Sequence, residues 1–170
     1  MGERKEAFRK LGLMKRQAES SPPNFSRVYE VFPNQESCKQ FLYEFQKGRK
    51  IVCPLCGGEK HFWDKYNQCW KCANCRKYNT SLTINTFLHH TRQSLLIWFK
   101  AILWIGLEEN APLLLDFQKG LQLKRYQSTW DLYHKVLHAK KSKDPLFEAI
   151  LKQLICKDES SFKNMESLSS

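Results

Sequence analysis

At 170 residues, with 42% apolar and 26% charged side chains, the chain has the balance of an ordinary globular protein, enough for one modest domain or two small ones. Its longest apolar run, Leu95 to Leu107, is interrupted by Lys100 and falls short of the roughly 18 to 20 residues a bilayer requires, which excludes a membrane span there. The 28 Lys and Arg against 17 Asp and Glu leave a net charge of +11, which points to a polyanionic partner, nucleic acid first, unless the excess only solvates the surface.

Residues 1–24 read as a basic arm and a linker. Residues 1–16 hold six basic and two acidic side chains, and Gln17 to Asn24, with "SSPPN", has linker composition. No apolar core of a signal peptide is present, so the expected location is intracellular: cytoplasm or nucleoid, or the nucleus in a eukaryote. In residues 25–48 a turn at Pro33-Asn34 precedes a helix with Asn34 as N-cap and Glu36 in its first turn. Cys38, Phe41, Leu42 and Phe45 recur at i, i+3, i+4 and i+7, which makes Cys38 a core position.

Residues 49–88 carry the strongest signal. Five of the seven cysteines lie between 53 and 75, and Cys53-x2-Cys56 and Cys72-x2-Cys75 stand fifteen residues apart, the spacing of a four-thiolate zinc site built from two knuckles. Between them "HFW" is strand-prone, "DKYN" turn-like and "QCWKC" a returning strand, which together predict a β-hairpin. Cys69-x2-Cys72 is a competing pair, but strand alternation puts Cys69 on the face opposite Cys72, with Trp70 on the Cys72 side where it can cover the metal. Cys69 is then a small strand residue without a ligand role. A closed set of four thiolates leaves no position for water, so one Zn2+ would be structural, contributing on the order of 10 kcal/mol that so small a unit cannot bury by itself. A redox CxxC is the alternative, and two pairs at this spacing argue against it.

Residues 92–140 predict a helical bundle. Leu95 to Leu107 is apolar on nearly every side, as a central helix would be. A helix from about Pro112 to Lys119, a break at Gly120 and a helix from about Arg125 to His138 have helix-turn-helix proportions. On the second helix Tyr126, Trp130, Tyr133 and Leu137 form an apolar stripe, and Lys124, Gln127, Ser128, Asp131 and Lys135 share a polar face. Lys124, Arg125, Gln127, Ser128 and Lys135 are the candidate DNA contacts, the amide and hydroxyl for base edges and the cations for phosphates; an ordinary amphipathic surface helix is the competing reading. His134 and His138 stand at chelating i, i+4 spacing but lack further ligands. In 144–156, Asp144-Pro145 opens either an amphipathic helix carrying Leu146, Phe147, Ile150, Leu151 and Leu154, or a remnant strand; residues 157–170 form a Ser-rich tail.

These motifs in this order, "FPNQESC", "CPLCG", "CANCRK", "TFLHHTRQSLLIWFKAI" and "RYQSTWDLYHKV", resemble the N-terminal region of the zinc-ribbon transposases, DDE-type insertion-sequence enzymes, from about Phe25 to Trp130 or a little beyond. The chain departs from the family at Ile84-Asn85, where a Gly-Thr is usual, and at Gln122-Leu123, where a Leu-Gly is usual. The resemblance implies a following RNase H-like domain whose acidic residues hold two Mg2+ ions. Asp158-Glu159-Ser160 looks like the opening of such a domain, with Asp158 at the first carboxylate, and twelve residues after Asp158 do not supply the rest.

The expectation is therefore a small α+β protein: a four-cysteine zinc ribbon flanked by an N-terminal helix and a C-terminal bundle with a helix-turn-helix. It would bind double-stranded DNA, plausibly transposon ends, and would not itself be an enzyme. A homodimer, a separately encoded catalytic subunit of a split transposase, or a transcription adaptor using the ribbon for protein contact are the competing arrangements.

Overall fold

A computed structural model describes residues 21–90 and 92–156. Among these residues there are six α-helices and one three-stranded antiparallel sheet, a small α+β arrangement. The expected arm at 1–16, the start of the linker, Asp158 and the tail lie outside the described residues.

Helix α1 (Ser26–Val31) was not legible in the sequence. It is six residues long and buries only Val28; the Asn24 side chain accepts its first free amide, from Ser26, at 2.9 Å. Helix α2 (Gln35–Gln46) begins at Asn34 as expected. Asn34 Oδ1 accepts from the Ser37 amide at 2.9 Å and Ser37 Oγ accepts from the Asn34 amide at 3.3 Å, a reciprocal cap that satisfies two otherwise orphaned donors. Cys38 and Leu42 are fully buried, and burial pushes the Cys38 thiol up to about 12, so it is a neutral core residue.

Strands β1 (His61–Asp64), β2 (Cys69–Cys72) and β3 (Asn79–Ser81) follow in sheet order β1-β2-β3. The register pairs His61 with Cys72, Trp63 with Trp70, and Trp70 with Thr80. The turn between β1 and β2 is organised by Asp64, whose Oδ1 accepts from the amides of Tyr66 and Asn67 at 3.0 and 3.1 Å. The third strand was not foreseen, because three residues of "NTS" carry no alternation to detect. Gln46, at the end of α2 and 1% exposed, donates to the Ile84 carbonyl at 2.7 Å and ties the segment after β3 to the helix.

Helix α3 (Leu95–Leu107) is the central helix that its composition predicts: eight of its residues are buried, and it packs against α1, α2, α5 and α6. Helix α4 (Leu114–Gly120) starts two residues later than expected and ends at Gly120, so the glycine is not the break. The left-handed residue that turns the chain is Gln122 (φ 55°), held between buried Leu121 and Leu123. Gly120 is there for space, since a Cβ would sit 2.4 Å from the ring of fully buried Trp104.

Helix α5 (Tyr126–Lys141) runs three residues beyond His138, and its buried face is not the expected stripe. Thr129, Leu132, Val136 and Ala139 are buried, while Tyr126 and Trp130 are 55% and 42% exposed; Tyr133 and Leu137 lie on the flank. The core face is thus turned by roughly the 100° that separates successive residues. Packing against α3 sets this face, and Thr129 can join it because its Oγ1 donates to the Arg125 carbonyl at 2.9 Å, which leaves no orphaned hydroxyl.

Helix α6 (Pro145–Ile155) settles the C-terminal alternative in favour of a helix. Asp144 Oδ1 accepts from the amides of Leu146 and Phe147 at 2.8 and 3.3 Å, and Pro145 occupies the first turn, where no amide is needed. Arg27 closes the other end: its Nε donates to the Leu154 carbonyl at 3.0 Å and its guanidinium to the Cys156 carbonyl at 2.7 Å, a cation on the negative end of the helix. Among the described residues no helix is long and apolar enough to cross a membrane.

Replacing Gly120 by Ala forces a methyl group into the Trp104 ring and is expected to destabilise the fold by about 1–3 kcal/mol, against little change or a slight gain for Gly48→Ala, whose Cβ would meet nothing within 4 Å. Thermal denaturation of the two variants beside the parent checks the contrast.

Candidate metal centre

Two turns of the same construction face each other beside the sheet. In the first, the Gly57 amide donates to the Cys53 carbonyl at 2.8 Å; in the second, the Arg76 amide donates to the Cys72 carbonyl at 3.1 Å. Each turn then reverses through a left-handed residue, Gly57 (φ 68°) and Arg76 (φ 55°). Glycine meets that requirement freely; arginine pays a steric cost for it. The turns approach closely at Gly58, where a Cβ would lie 2.6 Å from the Asn74 side chain.

The consequence is convergence of four sulfurs. Cys53 Sγ lies 3.7 Å from Cys75 Sγ and Cys56 Sγ lies 3.5 Å from Cys72 Sγ, and all four lie within 4.8 Å of one another. A tetrahedron with metal–sulfur bonds of about 2.3 Å has edges of about 3.8 Å, so the four cysteines lie close enough together to hold a single metal ion. Cys69 is excluded as the sequence indicated: it lies across from Ser81 and Asp64, on the face opposite Cys72. Desolvation raises its thiol, with the Asp64 charge adding to the effect.

The local electrostatics favour the thiolate at Cys75 and Cys72. The amide of Lys77, and then that of Tyr78, hold the Cys75 thiol down to about 6. The amide of Cys75, followed by that of Asn74, lowers Cys72. At Cys56 the Gly58 amide pulls the same way, but the Cys72 sulfur, desolvation and the other two sulfurs outweigh it and push the thiol up to about 11. Four thiolates at these separations would need a cation among them, which a metal ion would supply.

Trp70 shares the face of Cys72, as alternation requires, and is 7% exposed. Its ring stacks on Tyr43 of α2 at 5.5 Å and meets Trp63 edge-on at 5.1 Å, so it joins the sheet to the helix. His61, passed over in the sequence because one histidine outside the CxxC pairs carries no spacing signal, stands directly across from Cys72. Its Nε2 is buried and its Nδ1 lies 3.2 Å from the Glu59 carbonyl.

The other candidate residues sit apart from this centre. Lys124, Arg125 and Gln127 are exposed at the start of α5, and Gln127 Nε2 donates to Asp131 Oδ1 at 3.1 Å. Ser128 is half-buried. Lys135 is also half-buried, and its Nζ donates to the His89 carbonyl at 2.9 Å, which holds it along the protein surface. His134 and His138 are both exposed, with the His134 ring tilted against Trp130 at 4.2 Å. No family model, curated protein or solved structure matches this chain.

Titration of the reduced chain with Co2+ is expected to give one tetrahedral thiolate site per chain by its absorption spectrum, with affinity falling as pH falls because protons compete for the sulfurs. Cys69→Ser should leave the stoichiometry unchanged. Serine at 53, 56, 72 or 75 should abolish or sharply weaken the site; retention of full affinity in the Cys75→Ser variant combined with its loss in Cys69→Ser would show that the second pair is Cys69 with Cys72.

Proposed function

We propose that the chain is a zinc-dependent protein that binds double-stranded DNA. Four thiolates in a tetrahedral arrangement suit Zn2+, and with no open coordination position the ion is structural, so the two turns and the β1–β2 hairpin work as a zinc ribbon. Helices α4 and α5, joined through Gln122, work as a helix-turn-helix with α5 in the major groove.

The observation that carries the reading is the open start of α5. Lys124, Arg125 and Gln127 project into solvent, none of the three is in an ion pair among the described residues, and the chain has a net charge of +11. Arg125 and Lys124 reach phosphates or guanine edges, and Gln127, its amide oriented by Asp131, suits an adenine edge. Ser128 stands behind them, and Lys135 would contribute only after leaving the His89 carbonyl. The resemblance in motif order to the DNA-recognition region of zinc-ribbon transposases favours transposon ends as the target; cleavage and strand transfer would be supplied by acidic residues that this arrangement does not bring together among the described residues.

Selection from a random duplex library followed by anisotropy titration tests this. The expected result is binding whose logarithm falls linearly with the logarithm of salt concentration, lost on chelation of zinc. A Lys124→Ala, Arg125→Ala, Gln127→Ala variant should bind at least about tenfold more weakly, with the salt slope reduced by about 2. Unaltered affinity in that variant removes the role given to α5.

A further inference from the structure

The sheet has a second face. Its inner side carries Trp63, Trp70 and Cys72 toward α2 and the sulfur cluster; its outer side carries a row formed by Phe62, Lys71 and Asn79 in register across the three strands. Phe62 is 46% exposed and stacks on no other ring among the described residues, and Tyr66, in the turn after β1, is 95% exposed. Around them the unpaired charge has one sign: Glu36, which meets the β1–β2 turn at Gln68, is held by Lys39 at 2.7 Å. Both acids between 49 and 77 are already engaged, Asp64 by Lys71 and Glu59 by Lys50 at 3.3 Å, while Lys60, Lys65, Arg76 and Lys77 are exposed and have no ion-pair partner among the described residues.

The topology places these cations at both ends of the ring. Because β1 and β3 run parallel on either side of β2, Lys60 before β1 and Arg76 and Lys77 before β3 stand at the end of the sheet nearer the cysteines, and Lys65 with Tyr66 stands at the other. An open aromatic on a flat sheet between positive ends is suited to a base that presents its face and a backbone that presents phosphates. A duplex keeps its base faces stacked inside, out of reach of a ring that stands on the flat face of a sheet. The complementary partner is therefore a single strand.

We infer that the outer face of the sheet is a binding surface for unpaired nucleotides, with Phe62 as the stacking platform and Lys60, Lys65, Arg76 and Lys77 as phosphate contacts. It is separate from the start of α5, and it builds on the reading of the chain as a nucleic-acid binder. The two contacts together suit a junction, where duplex gives way to a frayed end.

Anisotropy titration of the full, zinc-loaded chain with a labelled oligothymidine, beside a duplex probe, tests the assignment. Phe62→Ala is expected to weaken the single-strand complex about tenfold and leave duplex affinity unchanged, while Phe62→Trp retains both. Four phosphate contacts give a single-strand salt slope of about −3, and Lys60→Ala with Lys77→Ala lowers its magnitude by about 1.4. The Lys124, Arg125, Gln127 alanine variant should lose duplex and keep single strand. The inference is overturned if the parent binds duplex but not oligothymidine, if Phe62→Ala matches the parent on oligothymidine, or if it weakens both probes alike. Binding of oligothymidine alone by the parent would sustain this surface and remove the role of α5.

Discussion

Strands of four, four and three residues cannot bury enough to hold themselves together, and everything around the sheet answers that constraint. At one end, four sulfurs converge within 4.8 Å, where a metal ion would stand in for the missing core. On the inner face, Trp63 and Trp70 meet Tyr43 of α2, so the sheet borrows apolar area from a helix that is itself anchored in the bundle. The alternation of β2 makes both possible: Trp70 and Cys72 are two residues apart and share a face.

The bundle has the opposite problem. Helix α3 is apolar around most of its circumference, and no amphipathic arrangement could leave a side of it in water. It is covered by α1, α2, α5 and α6, which come from both sides of the sheet in sequence. The carbonyls at its C-terminal end are met by Lys140, whose Nζ donates to those of Ile105 and Glu108. Arg27 does the same for α6 from the far end of the chain. These long cationic side chains serve as helix caps, which removes them from the count of charges free to meet a polyanion.

That distinction matters for the basic excess. A net charge is a property of composition, but the charges available to a partner are those left after internal pairing. Lys140, Lys135, Arg27 and Lys71 are spent within the fold, whereas Lys124 and Arg125 at α5, and the cations flanking the outer sheet face, remain in the open. The two clusters occupy different surfaces, so the chain carries its available charge in two places.

The sequence by itself determined the four sulfurs, the β1–β2 hairpin, the cap at Asn34, the central helix and the Asp144-Pro145 start of α6, because each depends on residues a few positions apart: knuckle spacing, strand alternation, a side chain reaching its own helix. Tertiary structure decided the rest. Helix α1 and strand β3 are too short to carry a period and exist because neighbours pair with them. The buried face of α5 followed the shape of α3 and not the positions of its aromatics, which put Tyr126 and Trp130 outside and Thr129 inside. Gly120 was chosen by the ring of Trp104, sixteen positions away. Lys135, on a polar face by spacing, was claimed by a carbonyl at His89. In each case the deciding contact joins residues far apart in the chain, and local periodicity holds no record of it.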